Sequence, residues 1–284
     1  MKKTLIIDSN YVCFRSLIAL RGLSWDDQDT GVIFGFLNQI QRLAKIFDYP
    51  RFIFAWDSEN KPSYRQEFYP DYKKKKGELD PEMANLLDMG KPQFRELRTT
   101  ILPEIGFNNQ IIQSRLEADD IIAQLVYQFQ KWDPIIIISS DNDLYPLISN
   151  RTSIFDIKSK TSITYDVFIS QWGIPPERWD MVKMLSGCST DNVPGIPGVG
   201  IKTAIKYLMG QLPNGKKMQS IINDTTVVPR NRTLIKLPHE RTKPVYVLLD
   251  DLSIDNFTSI CIDFGMRSLI DKEENFKIWR RILE

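Results

Sequence analysis

The feature that most constrains the fold is an alternation of short apolar segments with longer segments of helical periodicity. Thr4–Asp8, Arg51–Asp57 and Pro134–Ser139 are short and apolar, as buried strands are. Gly31–Phe47 and Ala118–Trp132 carry apolar residues at helical spacing. Strands that alternate with helices are typical of a parallel sheet. We therefore predict an α/β fold with a central, mostly parallel sheet flanked by helices.

Shorter patterns suggest three further strands, at Gln110–Gln113, Ser153–Ile157 and Ser162–Tyr165. Lys61–Gly106 is long for a crossover connection, and Gly90 and Pro92 interrupt its helical pattern. From about Gln171 the pattern becomes mostly helical, so we predict a first domain over residues 1–170 and a second over residues 171–284. Val245–Leu249 is compatible with either a strand or a buried helical segment.

Composition excludes several kinds of chemistry. The single histidine, His239, lies in a polar segment where a surface or loop position is expected. A Ser-His-Asp or Cys-His mechanism would need this residue, and a zinc site would usually need more ligands of its kind, so such chemistry is not expected. Cys13, Cys188 and Cys261 are far apart and form no metal-type pair, which fits a reducing, cytosolic setting. No apolar run approaches the roughly 20 residues of a membrane helix. Carboxylates therefore remain as the candidate catalytic groups. The net charge of +1 is compatible with separate acidic and basic clusters whose local fields have opposite sign.

Carboxylates follow the ends of the predicted strands. Asp8 and Asp57 end the first two, and Asp141 and Asp143 follow the third. A further group, Glu117, Asp119 and Asp120, opens the helix before that third strand. Each acid alone is more often a cap or turn residue. Seven like charges at one sheet edge would repel one another strongly unless cations were bound, and oxygen ligands favour Mg²⁺ or Mn²⁺ over zinc.

Two other segments suit nucleic acid. In the segment Tyr64–Lys76, YRQEFYPDYKKKK, basic and aromatic residues interleave, as in proteins that hold phosphates and stack bases, although a solvated surface loop has the same composition. The segment Pro194–Gly200 is rich in glycine and precedes a helix, so its amides can approach a phosphate closely. An ordinary turn between helices is the alternative for this hairpin.

These motifs together resemble the 5′ nuclease superfamily, which includes phage 5′ exonucleases, flap endonucleases and the 5′ nuclease domain of bacterial DNA polymerase I. IIDSNYVCFR, with Asp8 and Arg15, resembles its first motif. WDS, EADD and SSDNDLYPL resemble the next motifs in order, and GCSTDNVPGIPGVGIKTA resembles its helix–hairpin–helix signature. The resemblance covers most of residues 1–210.

The resemblance implies two metal sites in a PIN-like nuclease fold with a helical arch at about residues 61–106. The first site would be formed by Asp8, Asp57, Glu117, Asp119 and Asp120, partly through water, and the second by Asp141, Asp143 and Asp191. Bacterial members usually have an aspartate where this chain has Cys188, and a neutral thiol is a poor Mg²⁺ ligand. Cys188 is otherwise read as a small buried packing residue.

The resemblance also assigns catalytic and DNA-binding residues. Lys73 and Lys76 would share one helical face, Lys73 would neutralise the scissile phosphate, and Arg15 would do likewise or offset acid repulsion. Residues expected to contact DNA are Tyr64, Arg65, Tyr69, Tyr72, Lys74, Gly195, Gly198, Gly200, Lys202 and Thr203. The implied cofactors are two Mg²⁺ or Mn²⁺ ions, with K⁺ at the hairpin.

The expected activity is hydrolysis of DNA flaps, nicks, gaps and RNA primers on DNA by a two-metal 5′→3′ exonuclease and flap endonuclease. A monomer in the bacterial cytoplasm or a phage-infected cell, able to meet replication proteins, is the expected setting. Three alternatives stay open: a nuclease acting mainly on RNA, a junction-binding protein with weakened catalysis, and a phosphatase for small molecules.

Overall fold

The computed structural model describes residues 3–74 and 80–284. The strands are β1 Thr4–Asp8, β2 Ser24–Trp25, β3 Gln28–Asp29, β4 Arg51–Ala55, β5 Gln110–Ile111, β6 Ile135–Ile138, β7 Thr152–Asp156, β8 Thr161–Ile163, β9 Gly187–Cys188 and β10 Val193–Pro194. The α-helices are α1 Ser9–Ala19, α2 Gly31–Ile46, α3 Tyr64–Phe68, α4 Pro81–Glu96, α5 Leu102–Ile105, α6 Ala118–Phe129, α7 Tyr165–Trp172, α8 Trp179–Ser186, α9 Ile201–Leu208, α10 Lys216–Ile222, α11 Val227–Ile235, α12 Ile254–Asp263 and α13 Glu273–Leu283. Shorter 3₁₀ segments cover Asn142–Leu147, Pro176–Arg178 and Arg267–Leu269, and Leu97–Ile101 is a π-helical turn.

The described residues divide into two compact units, each discontinuous in sequence. The first unit contains residues 3–56, 80–111 and 245–284, and the second contains residues 57–74 and 112–244. The sequence instead predicted a boundary at residue 170. Compactness does not test where a functional domain begins, so that boundary remains a prediction.

The first unit contains the parallel strands β5, β4 and β1, in that order. Thr4 pairs with Arg51 and Asp8 pairs with Ala55, and β1 is buried along its whole length. The ring of Phe107 lies 5.4 Å from that of Phe54, which fills the space beside the sheet. Because both faces of these strands are covered, their sequences are almost uniformly apolar.

In the second unit, β6 pairs in parallel with β7, and β8 pairs with β7 in antiparallel fashion. The four isoleucines of β6 are all buried, as a central strand requires. Helix α6 precedes β6 and buries an apolar face that includes Ile121 and Leu125. The mostly parallel sheet with flanking helices confirms the predicted fold class.

Two local predictions are wrong. Helix α4 continues through both Gly90 and Pro92. A side chain at Gly90 would collide with Leu17, so close packing explains this glycine better than a break in the helix. Val245–Leu249 forms neither strand nor helix. His239 lies in a loop, as expected, although only 7% of its surface is exposed.

Among residues 3–74 and 80–284, no helix combines the length and apolarity that a membrane crossing requires.

Candidate active site

The first acidic group lies at the start of α6 in the second unit. Glu117 is the N-cap residue, and its backbone N–H donates to Asp120 Oδ2 at 3.2 Å. Asp57 reaches the same helix end, where its Oδ1 accepts from the Ala118 N–H at 2.8 Å. The positive end of the helix dipole favours these carboxylates. Burial raises the pKa of Asp57, although the Ala118 N–H opposes that shift.

Asp120 is not placed to ligate a metal ion. Arg65 donates to its two oxygens at 2.6 and 2.7 Å, and Asp120 is fully buried. The backbone N–H of His239 also donates to Asp120 Oδ1 at 2.8 Å. Burial raises the pKa of Asp120, but the Arg65 guanidinium more than offsets this and holds that pKa below its usual value. The prediction of Asp120 as a first-site ligand is therefore wrong, because its oxygens are already occupied.

The same ion pair contradicts a DNA contact for Arg65, whose surface is 3% exposed. Tyr72 is likewise 3% exposed, and its hydroxyl donates to Glu117 Oε2 at 3.0 Å. Both side chains were expected to hold nucleic acid. They instead donate hydrogen bonds to carboxylates of the acidic group, because a buried carboxylate needs hydrogen-bond donors in place of water.

Lys73 connects the two acidic groups. Its ammonium lies 3.0 Å from Glu117 Oε2, and its backbone N–H donates to the Asp191 carbonyl at 2.8 Å. Burial lowers the pKa of Lys73, but the Glu117 carboxylate outweighs this, so the pKa is raised and the side chain stays charged. Lys73 lies in a turn with a φ of +51°, not on a helix as predicted. The side chain is 41% exposed, so it remains accessible to a phosphate.

The second acidic group surrounds Asp143, which follows β6. Lys183, on α8, forms an ion pair with Asp143, with its Nζ 2.7 Å from Oδ1, and it donates to Asn142 Oδ1 at 2.9 Å. The Cys188 Sγ lies 3.8 Å from Asp143 Oδ2. Burial raises the pKa of Asp191 to about 6; Lys73 opposes the shift and Asp143 adds to it. Asp141 is exposed and caps the 3₁₀ turn by accepting from the Asp143 N–H at 2.8 Å.

One pocket of the second unit is lined by carboxylates from both groups, namely Glu117, Asp119, Asp143 and Asp191. Oxygen ligands of this kind fit a divalent cation such as Mg²⁺ or Mn²⁺. Among the described residues, Asp143, Cys188 and Asp191 also offer ligand atoms that all lie within 4.8 Å of one another. The donor set of the second unit therefore fits the divalent metal that the sequence predicts.

Two predicted site residues belong to the first unit. Asp8 ends β1 and caps α1 by accepting from the Tyr11 N–H at 3.1 Å. Arg15 is half-buried on α1, with its guanidinium 5.8 Å from the Tyr11 ring centroid. Lys76 lies outside the described residues.

The remaining predicted DNA contacts differ in their exposure. Tyr64 stacks on His239 at 5.5 Å between ring centroids and lies beneath the guanidinium groups of Arg115 and Arg241. Tyr69 is half-buried, while Lys74 is exposed and 3.3 Å from Asp71. Stacking by Tyr64 and Tyr69 and phosphate binding by Lys74 remain predictions.

The glycine-rich segment joins α8 to α9. A turn between Ile196 and Val199 is closed by a 2.9 Å backbone hydrogen bond, and Gly198 adopts a φ of +77° within it. Gly200 is the N-cap of α9 and is exposed, with no atom near the position of a Cβ. Lys202 is exposed and Thr203 half-buried in the first turn of α9. This geometry leaves room for a phosphate, and DNA binding by Gly195, Gly198, Gly200, Lys202 and Thr203 remains a prediction.

Sequence reasoning missed Lys183 and misassigned Arg65. Lys183 lies in the apolar run Met181–Leu185 and is 6% exposed. A lysine within an apolar helix face, just before an acidic loop, is a usable signal because such a charge needs a partner. Arg65 carries no comparable signal, since its neighbours also suit a surface loop.

The solved structures that resemble the chain have the 5′ nuclease fold. The bacteriophage T5 D15 protein, co-crystallised with metal ions, aligns over 100% of both chains with a TM-score of 0.70 and 19% identity. Flap endonuclease-1 from Methanococcus jannaschii aligns over 99% of this chain and 91% of its own, with a TM-score of 0.56 and 13% identity. These likenesses confirm the predicted fold.

Sequence comparison then gives the family. Residues 3–173 match the model described as 5′-3′ exonuclease, N-terminal resolvase-like domain. A 5′-3′ exonuclease of Buchnera aphidicola subsp. Acyrthosiphon pisum is 30% identical over 277 residues, covering 95% of this chain and 91% of the relative. DNA polymerase I of Mycobacterium leprae is 28% identical over 252 residues, which is 82% of this chain but 27% of the polymerase. The chain belongs to the 5′-3′ exonuclease family, as its motifs predict.

Proposed function

We propose that this protein is a divalent-metal-dependent, structure-specific 5′ nuclease that cuts DNA near exposed 5′ ends, both as a 5′→3′ exonuclease and as a flap endonuclease. The observation that carries the proposal is the pocket in which Glu117 and Asp119 meet Asp143 and Asp191. Membership of the 5′-3′ exonuclease family supports the same reaction.

Two groups of carboxylates would hold the ions, for which Mg²⁺ or Mn²⁺ is the expected element. Asp57, Glu117 and Asp119 would form the first site, with Asp8 assigned to it by resemblance. Asp141, Asp143 and Asp191 would form the second. Bound ions would supply an activated water and stabilise the attacking and leaving oxygens of a phosphodiester. The expected products carry a 5′-phosphate and a 3′-hydroxyl.

The chain's own cations would position the substrate. Lys73 is anchored by its backbone at Asp191 and by its ammonium at Glu117, so it lies beside both carboxylate groups. An exposed ammonium in this place can bind the scissile phosphate and stabilise the charge that develops there. Arg15 and Lys76 are assigned the same task by resemblance alone.

The segment Gly195–Thr203 would bind the duplex backbone through its exposed amides and Lys202, with K⁺ as an additional ligand. Contacts to the duplex backbone carry no sequence information, so the shape of the junction would determine specificity. We extend the proposed substrates to nicks, gaps and RNA–DNA hybrids. A monomer that acts in the cytoplasm alongside replication proteins fits this activity.

The test is cleavage of a 5′-labelled flap duplex during a titration with Mg²⁺ or Mn²⁺. We expect cutting near the junction by the native protein and none by Asp141→Ala. Lys73→Ala should lower kcat by about 10²- to 10³-fold, as removal of a donor to a developing charge does. Lys74→Ala is the matched control: it removes an exposed lysine that pairs with Asp71, and its loss should affect binding by severalfold at most.

A junction-binding protein with weakened catalysis is the second candidate, and Cys188 beside Asp143 favours it. Tight binding of the flap with no product in either metal would replace the nuclease proposal with this one. Equal losses in Lys73→Ala and Lys74→Ala would contradict the specific task assigned to Lys73.

A further inference from the structure

One sulfur and two carboxylates meet in the second acidic group. Ligand atoms of Asp143, Cys188 and Asp191 all lie within 4.8 Å of one another. Cys188 is 5% exposed, whereas the two aspartates are half-buried and face the pocket. The three residues come from different parts of the chain. Asp143 follows β6, Cys188 ends β9, and Asp191 lies in the loop between β9 and β10.

The separation of sulfur and oxygen discriminates between kinds of ion. Cys188 Sγ and Asp143 Oδ2 are 3.8 Å apart. In a tetrahedral zinc site, a sulfur about 2.3 Å and an oxygen about 2.1 Å from the ion lie roughly 3.6 Å apart. Adjacent oxygens of octahedral Mg²⁺, each about 2.1 Å from the ion, lie roughly 3.0 Å apart. The observed spacing between Cys188 Sγ and Asp143 Oδ2 is therefore closer to the tetrahedral value than to the octahedral one.

Neighbouring groups hold the ligands in this arrangement. The Lys183 ammonium forms an ion pair with Asp143 on the side of Oδ1, and Oδ2 faces the Cys188 sulfur. Thr190 Oγ1 lies 3.0 Å from Cys188 Sγ and can donate to a thiolate there. Such outer contacts orient ligands and sustain metal affinity.

The backbone also fixes the spacing between the thiol and the loop aspartate. Cys188 pairs with Val193 across the β9–β10 hairpin, and Asn192 takes a φ of +59° as the loop turns back. The Asp191 carbonyl accepts from the Lys73 N–H at 2.8 Å. Both ends of the loop are therefore set before any ion binds, which lowers the entropic cost of binding.

We propose that Asp143, Cys188 and Asp191 form a thiophilic metal site that binds Zn²⁺ and Cd²⁺ in preference to Mg²⁺. Zn²⁺ or Cd²⁺ would bond to the Cys188 thiolate and one oxygen from each aspartate, leaving a position for water. One proton leaves the thiol on binding, and no electron is transferred. Asp143 and Asp191 are also assigned to the second ion of the proposed nuclease, so a place for this ion in catalysis rests on the proposed function, whereas its binding to the three residues does not.

The experiment is a Cd²⁺ titration of the full-length, metal-free protein, followed by the ultraviolet sulfur-to-cadmium charge-transfer absorption. We expect the band to saturate at one ion per chain, to disappear on addition of Zn²⁺, and to persist in a large excess of Mg²⁺. Cys188→Ser should abolish the band. Asp191→Asn keeps every thiol and should weaken Cd²⁺ binding by more than the roughly 10- to 100-fold that losing an outer-shell contact costs.

Cys188→Asp supplies a second sulfur-free variant if the serine variant is unstable, and it should lose the band while binding Mg²⁺ more tightly. A native protein without the band would overturn the proposal, as would a band that survives in both Cys188 variants. Unchanged Cd²⁺ affinity in Asp191→Asn would reduce the site to an isolated thiol and also overturn it. Flap cleavage without a cadmium band would contradict the thiophilic site but not the nuclease activity. A cadmium band without flap cleavage would support the thiophilic site and contradict the nuclease activity.

Discussion

Replacing Arg65 with methionine tests whether the buried ion pair organises the first acidic group. The guanidinium donates to both oxygens of Asp120, and the two side chains are 3% and 0% exposed. Its Nε also donates to the Leu234 carbonyl at 2.8 Å. Arg65→Met fills much of the same volume but leaves a carboxylate buried without its cation.

The expected cost is about 3–5 kcal/mol of unfolding free energy, the range for removing one partner of a buried pair. Arg65→Met/Asp120→Asn leaves no charge behind, and its asparagine oxygen can still accept from the His239 N–H. The double variant should therefore be roughly 2 kcal/mol more stable than Arg65→Met alone, because the unpaired charge accounts for much of the loss.

Urea denaturation followed by circular dichroism measures both variants, and Asp120→Asn completes the double-mutant cycle. The native pair stabilises the fold above the usual carboxylate pKa and loses that effect as the pH falls through the lowered pKa of Asp120. In Arg65→Met the carboxylate resists ionisation, so the deficit should shrink in acid. A loss below about 1 kcal/mol, or a deficit that grows in acid, would refute this reasoning.

The remaining predictions concern side chains that contact the acidic groups and glycines of the nearby hairpins. Tyr72→Phe should cost about 1.5–3 kcal/mol by removing the hydrogen bond to the Glu117 carboxylate; an unchanged urea midpoint would contradict this. Lys183→Met should destabilise the metal-free protein by about 2 kcal/mol, and added Mg²⁺ should restore part of the loss in a thermal melt. Gly187 has a φ of +77° and its Cβ would overlap the neighbouring strand, so Gly187→Ala should prevent normal folding. Gly200 has open space around it, so Gly200→Ala should lower the free energy of unfolding by less than about 1 kcal/mol but weaken binding to a DNA duplex. Equal losses of stability in Gly187→Ala and Gly200→Ala would contradict this difference between the two glycines.

Local patterns made much of the fold predictable. Strand β6 and helix α6 follow from apolar runs and helical spacing, and the carboxylates at strand ends are visible in the sequence. The partners of those carboxylates are not, because Arg65 and Asp120 are 55 residues apart and meet only in the folded chain. A basic and aromatic segment has the same composition whether it faces solvent or closes over buried acids. Tyr72 was misassigned for that reason, while the Cys188 departure was visible and its burial is confirmed.

The charges of the second unit give the metal requirement a physical basis. The second unit contains seven of the carboxylates that the sequence predicted as metal ligands, including Asp120, which pairs with Arg65 instead: Asp57, Glu117, Asp119, Asp120, Asp141, Asp143 and Asp191. Among residues 3–74 and 80–284, the cations Arg65, Lys73 and Lys183 form ion pairs with Asp120, Glu117 and Asp143 respectively. Divalent ions would add further positive charge beside these carboxylates and so reduce their mutual repulsion.

The pKa of Asp191, raised to about 6 by burial, is the measurable consequence. A carboxyl whose pKa is higher in the folded state stabilises the fold when protonated, and that contribution is lost as the pH rises from about 4 through 6. The shift corresponds to about 2 kcal/mol after allowance for solvent screening. In a chelator, the stability of the native protein relative to Asp191→Asn should fall by about that amount between about pH 4 and pH 7, as measured by urea denaturation. Saturating Mg²⁺ should remove the dependence, since the ion stabilises the ionised form. A difference that stays flat with pH in the chelator would mean that Asp191 is already ionised without metal, and the unfavourable burial of its charge would not explain the need for the ions.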